Sequence, residues 1–393
     1  MSVQSGLDVL VAEDFARLAG RRVGLLTNPS AVDRTLVSAY RRLTGAPQVD
    51  ARALFGPEHG IAGAAAEGAH VGSGADPRTG LPVHSLYGKT LRPTSAMLDG
   101  LDVLVCDIQD IGVRFYTYTW TVSHVLEAAG EHGVAVLLLD RPNPLGGVRI
   151  EGPLLEGSQA SFVGRFGVPV RHGMTLGELA GMINALWNPT PAELEIVPCD
   201  GWQRDMTWTE TCLPWVPPSP NMPQLATLQH YPGSCLLEGT NLSEGRGTAL
   251  PFEVVGAPWI DGEALVDALY GAGLERMGAG FLSHTFKPSA SKWRGRLCQG
   301  VQVHVTDTER WRAIPVWLGV IATVRALYPR QFKWKTSHFD RLAGTTWMRR
   351  QIEQDVAANR SPDVTIATLD SEWHADCGAF DIQRQPYLLY GTG

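Results

Sequence analysis

Short apolar runs, each cut off by a polar or turn-forming cluster, recur along the first half of the chain. They cover 22–27, 51–55, 103–108, 134–139 and 193–197, and they read as strands. A weaker run at 82–86 reads as a further short strand. Between them 7–18, 36–43, 96–100 and 116–130 carry helical spacing, and Thr175-Leu176-Gly177-Glu178 has the capping-box spacing that opens a helix to about Leu186. Unbroken apolar strands alternating with helices predict an α/β fold, a mostly parallel sheet with helices on both faces. Residues 60–80 are rich in Gly and Ala and have no period, which predicts a long functional or mobile loop.

The pattern changes past the proline-dense stretch 213–223, which reads as a rigid extended segment. Beyond it, 300–306 alternates strictly, as a half-buried strand does, and 265–274 and 315–327 read as helices. The expected organisation is a larger α/β domain over 1–215 and a smaller α+β auxiliary domain over 216–393. The closing stretch from 373, with Cys377, Phe380, Tyr387 and Tyr390, is expected to dock onto one of them.

Composition narrows the function classes. With 393 residues, 44% hydrophobic and 19% charged, the chain has enough apolar material for two cores. A net charge of -7 and the lack of a long Lys/Arg run argue against nucleic-acid binding. No apolar stretch approaches a membrane span, so no membrane insertion is expected. The first residues show neither a basic nor an apolar leader region, so a cytoplasmic location is expected. The six cysteines are scattered without a C-x-x-C pair, which argues against a zinc ribbon or redox motif. The 12 Trp suit carbohydrate stacking but also suit cores.

Polar and ionisable groups collect where the strands end. The first strand ends at Thr27-Asn28. The second stops at Gly56-Pro57 and is followed at once by Glu58 and His59. The third ends at Asp107-Ile108-Gln109-Asp110, with Arg114, Tyr116 and Tyr118 just beyond. The fourth ends at Asp140-Arg141-Pro142-Asn143. In a parallel sheet these ends share the edge where open α/β folds bind ligands. No G-x-S-x-G elbow, phosphate-cradling loop or dinucleotide glycine pattern is present. A metal held by Glu58, His59, Asp107 and Asp140 remains open, without ligand spacing to sharpen it. Carboxylate acid/base chemistry, as at a glycosidic bond, fits best. A second polar cluster, 238–248, packs Glu238, Asn241, Glu244 and Arg246 among glycines.

The strings G-L-L-T-N-P-S (24–30), L-F-G-P-E-H-G-I (54–61), D-I-Q-D-I-G-V-R-F-Y-T-Y (107–118), L-D-R-P-N-P-L-G-G (139–147), R-H-G-M-T-L-G-E-L (171–179), P-S-P-N-M-P (218–223) and E-G-T-N-L-S-E-G-R-G-T (238–248) resemble the exo-acting β-N-acetylmuramidases. These bacterial glycoside hydrolases remove N-acetylmuramic acid from the non-reducing ends of peptidoglycan fragments. The resemblance implies a Rossmann-like catalytic domain, an auxiliary domain and a cleft between them, with peptidoglycan-derived saccharides or muropeptides as partners and no cofactor.

It also implies Glu58 as the catalytic glutamate, here expected as general acid. Asp107 or Asp110 would orient water or stabilise the developing charge. The substrate's 2-acetamido group is an alternative nucleophile. Arg114, Arg141 or Arg246 would hold the lactyl carboxylate, and Asn143, Asn221 and Asn241 the ring hydroxyls. His59 would bind substrate or orient Glu58. Asn28, Tyr116, Asp140, Glu238 and Glu244 complete the candidate binding set. The competing expectations are a β-N-acetylhexosaminidase of other specificity and a non-catalytic muropeptide-binding protein.

Overall fold

The computed structural model describes residues 2–63 and 72–393, so part of the expected 60–80 loop, 64–71, lies outside the described residues. In chain order the strands are β1 Arg22–Thr27, β2 Asp50–Gly56, β3 Gly74–Ala75, β4 Pro82–Ser85, β5 Val103–Asp107, β6 Ala135–Leu139, β7 Glu151–Leu154, β8 Pro169–Arg171, β9 Leu194–Val197, β10 Val254–Ala257, β11 Ala279–Phe286 and β12 Cys298–Val305. The chain divides into two compact units.

The first unit comprises Met1–Arg149, His172–Pro223 and Gln383–Gly393. Its sheet has the order β3-β4-β2-β1-β5-β6-β9, parallel except where β3 runs against β4. Every residue of β5 and β6 is buried, which is why both strands read as unbroken apolar runs. Leu25, Leu54, Val105, Leu137 and Leu139 pack in one core with Leu7 and Leu10 of the helix Gly6–Ala12. The chain winds outward from β1 to β2 and β4, then returns to β5 and winds the other way. This switch between β1 and β5 is where open α/β sheets bind ligands.

The helix expected over 7–18 stops at Ala12, because Asp14 and Phe15 take positive φ values of 49° and 57°, and resumes only as the single 3₁₀ turn Ala16–Leu18. The helix expected from 116 to 130 runs Tyr118–His132, its end set by Gly133 at φ 67°. Gly130 lies inside that helix for a packing reason: a Cβ there would sit 1.9 Å from the Thr190 carbonyl oxygen. The helix Leu176–Leu186 begins as expected, with Thr175 and Glu178 forming the capping box.

The second unit comprises Ile150–Arg171 and Gln224–Ile382. It carries the antiparallel sheet β10-β12-β11 and the antiparallel pair β7-β8. The segment 150–171 thus lies in the second unit and 383–393 in the first. The helix Ala313–Leu327 is buried along most of its length, from Ala313 to Val324. Helices Leu225–Ser234, Gly262–Gly271, Thr336–Ala343, Trp347–Ala357 and Pro362–Arg384 accompany it. Among the described residues no helix is long and apolar enough to cross a membrane.

Candidate active site

Glu58 follows β2 and is 7% exposed. Its turn is tight: the Gly60 N–H donates to the Pro57 carbonyl at 2.9 Å, and His59 takes a φ of 69°. A non-glycine residue held in the left-handed region stores strain, a common feature of functional turns. The Thr117 hydroxyl donates to Glu58 Oε2 at 2.8 Å. Next to Thr117, the Tyr118 hydroxyl accepts from Asn28 Nδ2 at 3.0 Å and donates to the Pro218 carbonyl at 2.5 Å. Burial, reinforced by the Glu58 charge, pushes the Tyr118 phenol above its ordinary range, so it stays a neutral donor. Asn28 is held in turn by the Ser30 N–H and hydroxyl, which donate to its Oδ1 at 3.2 and 2.6 Å. The ends of β1, β2 and β5 therefore converge on Glu58 through Asn28, Thr117 and Tyr118.

Beside this group lies Asp110, 5% exposed. The Gly112 N–H donates to its Oδ2 at 2.7 Å and the Thr119 hydroxyl to its Oδ1 at 3.3 Å. Burial outweighs these donors and pushes the carboxyl up to about 6. Tyr116 stacks edge-on against Tyr118 with centroids 4.8 Å apart, and Ser219 lies close enough to act on its phenol. Burial pushes its phenol well above the usual range as well. Arg114 is buried in the same turn, its carbonyl accepting from Trp120 Nε1 at 2.7 Å.

The other strand-end residues of this unit are held by partners within the protein. Arg141 Nε and Nη2 donate to the two oxygens of Asp107 at 2.5 and 2.9 Å, and the pair is buried. Asp107 holds the guanidinium above its ordinary value, against burial. Asp140 accepts from Thr175 at 2.7 Å, from the Gly177 N–H at 2.8 Å and from the Tyr390 hydroxyl at 2.6 Å, so it serves the start of the helix Leu176–Leu186. Burial nonetheless pushes it up to about 6. Asn143 Nδ2 donates to the Met174 carbonyl at 2.9 Å, and Asn221 sits half-buried in the proline-dense segment.

In the second unit Arg246 Nη2 lies 2.6 Å from Glu238 and its Nε 3.4 Å from Glu244, with the guanidinium over the Phe252 ring. Lys292 Nζ is 2.8 Å from Glu244, and His338 Nε2 is 3.5 Å from Glu238. Burial works to raise Glu238, and Arg246, His338 and Lys292 override it, holding the carboxyl below its ordinary range. Asn241 is tied to backbone: its Nδ2 donates to the Gln331 carbonyl at 2.9 Å and its Oδ1 accepts from the Lys333 N–H at 2.9 Å.

Residues 23–226 match the N-terminal model, and residues 229–390 the C-terminal model, of the exo-β-N-acetylmuramidase NamZ. The chain belongs to the exo-β-N-acetylmuramidase NamZ family. It is 44% identical over 389 residues to the peptidoglycan β-N-acetylmuramidase NamZ of Bacillus subtilis (strain 168), covering 99% of this chain and 91% of that protein. A crystal structure of a DUF1343 family protein from Bacteroides fragilis NCTC 9343 superposes with a TM-score of 0.90 at 38% identity, covering 99% of both chains. A second DUF1343 structure from the same organism gives 0.79 at 31% identity, covering 100% of both.

Membership in the NamZ family makes the chain a glycoside hydrolase. Residues that sequence reasoning passed over now stand beside the selected ones. Thr117 binds Glu58, Ser219 lies beside Tyr116, and Lys292 binds Glu244. His172 places Nε2 3.8 Å from Asp110 Oδ2. Thr117 and His172 each lie inside one of the family-like strings, and that was the available signal. Ser219 lies in the proline-dense string, and Lys292 had no signal at all.

Proposed function

We propose that this NamZ-family chain releases N-acetylmuramic acid from the non-reducing end of peptidoglycan fragments, with Glu58 as the general acid. The observation that carries the reading is the placement of Glu58: a carboxyl on a strained turn at the carboxyl edge of the sheet, nine-tenths buried, bonded to Thr117 and flanked by the neutral Tyr118. In the reaction Glu58 gives its proton to the glycosidic oxygen as the anomeric C–O bond breaks. The ring takes on oxocarbenium character, water adds to the anomeric carbon and gives its proton to the second carboxylate, and exchange with solvent returns a proton to Glu58, so one water is consumed per bond. Asp110 supplies the second carboxylate, near enough to the tyrosine pair to face the same substrate. Asp107 is less suited, since Arg141 occupies both of its oxygens. The reading places the reaction in the cytoplasm, on salvaged fragments.

The test is a side-by-side assay of chromogenic muramic acid and N-acetylglucosamine glycosides. Preferential hydrolysis of the muramic compound is the expected result. Turnover of the glucosamine compound alone would make the chain a hexosaminidase of other specificity.

A further inference from the structure

His172 is fully buried directly after β8 and belongs to none of the groups assigned above. Its ring orientation is fixed by its neighbours. The Met174 N–H donates to His172 Nδ1 at 3.2 Å, so Nδ1 is the acceptor and the neutral ring carries its proton on Nε2. That nitrogen lies 3.8 Å from Asp110 Oδ2. The backbone beneath the ring is pinned as well: Arg384 Nη1 donates to the carbonyls of Gly147, His172 and Gly173 at 3.0, 3.3 and 2.5 Å.

We infer that His172 is a positioning residue for Asp110, its Nε2–H directed at the carboxylate so that Asp110 is held ionised and oriented for the reaction. The inference rests on the reading of Asp110 as the second carboxylate. The groups facing Asp110 have unequal effects. The Gly112 N–H and the Thr119 hydroxyl favour the ionised form, whereas burial and the Asp140 charge oppose it. Tyr116 and Tyr118 sit within range of its charge as neutral phenols. A fixed N–H donor 3.8 Å from Oδ2 works with the first group. A separation of 3.8 Å is longer than a hydrogen bond, and catalytic contacts commonly tighten when substrate excludes water.

The experiment is the pH profile of kcat/KM and kcat for the full chain, alongside Asp110→Asn, His172→Leu and His172→Gln. If Asp110 must be ionised, activity rises through about pH 6. His172→Leu removes the donor, so that acid limb moves up by about one pH unit and kcat falls more than KM changes. His172→Gln restores a donor near the Nε2 position and brings the limb back. An unmoved limb in a folded His172→Leu protein overturns the inference. An Asp110→Asn variant with wild-type rates and an unchanged limb instead overturns the underlying role of Asp110. Should His172→Leu fail to fold, ¹⁵N shifts of the wild-type imidazole decide: the Nε2–H tautomer across the limb is the expected result, and an Nδ1–H tautomer contradicts it.

Discussion

The Thr117 hydroxyl donates to Glu58 Oε2 at 2.8 Å, joining the turn after β2 to the start of the helix that follows β5. Because β1 lies between those two strands, this bond spans the middle of the sheet. Asn28, at the end of β1, meets the neighbouring Tyr118 at 3.0 Å. Glu58 is therefore held by the same residues that close the topological switch.

That geometry makes Thr117 a kinetic residue. Thr117→Val keeps the shape and removes the donor. A hydrogen bond to the neutral carboxyl of a general acid is worth about 0.5–1.5 kcal/mol, so kcat/KM should fall by about two- to tenfold. Thr117→Ser should recover most of the rate. Steady-state kinetics on a muramic glycoside checks both.

Gly112 is required by its conformation and by its neighbour. Its φ is 76°, and a Cβ would lie 2.3 Å from Asn143 Oδ1. Gly112→Ala should cost more than about 2 kcal/mol and displace the N–H that Asp110 accepts. Urea unfolding should show the lower midpoint, and activity should drop with it.

Asp140 makes the stability of the first unit depend on pH. Burial raises it to about 6 in the folded state, whereas the unfolded chain releases that proton near about 3.9. Between those values the folded state binds the extra proton, so this group's contribution falls as pH rises through 6. Above 6 the ionised carboxylate leans on the Tyr390 hydroxyl at 2.6 Å. Tyr390→Phe should therefore destabilise by about 1.5–3 kcal/mol at pH 8 and by less at pH 5, measured by denaturant titration at the two values.

Arg246 bears on the second unit. It meets Glu238 at 2.6 Å and Glu244 at 3.4 Å and stacks on Phe252. Arg246→Met removes the cation that Glu238 and Glu244 share and leaves them to Lys292 and His338, and a loss of about 3 kcal/mol is expected. Arg246→Lys should recover only part, because an ammonium cannot serve two carboxylates and a ring face at once. Thermal unfolding of the variants would show this order.

Much of this was legible in the chain. The strands of the parallel sheet announced themselves because both of their faces are buried, as in β5 and β6. The edge they share put Glu58, Asp110 and Asn28 on one side. The roles of single side chains were less legible. Asp140 and Asn143 look like ligand groups in a string of letters, yet Asp140 serves a helix start and Asn143 a backbone carbonyl. Such partners are distant in sequence and leave no local pattern. The helices after Leu327 went unread for another reason. Only a narrow stripe, such as Leu369, Trp373 and Phe380 in Pro362–Arg384, is deeply buried, and polar residues mask its period.

The central claim is that Glu58 delivers the proton to the leaving oxygen, and Glu58→Gln assayed on a chromogenic muramic glycoside tests it most directly. Gln keeps the size and can still contact Thr117 but has no acidic proton to give. With the fold intact by circular dichroism and melting temperature, kcat should fall by roughly 10²-fold or more. A folded Glu58→Gln protein that turns over as fast as the wild type would contradict the account.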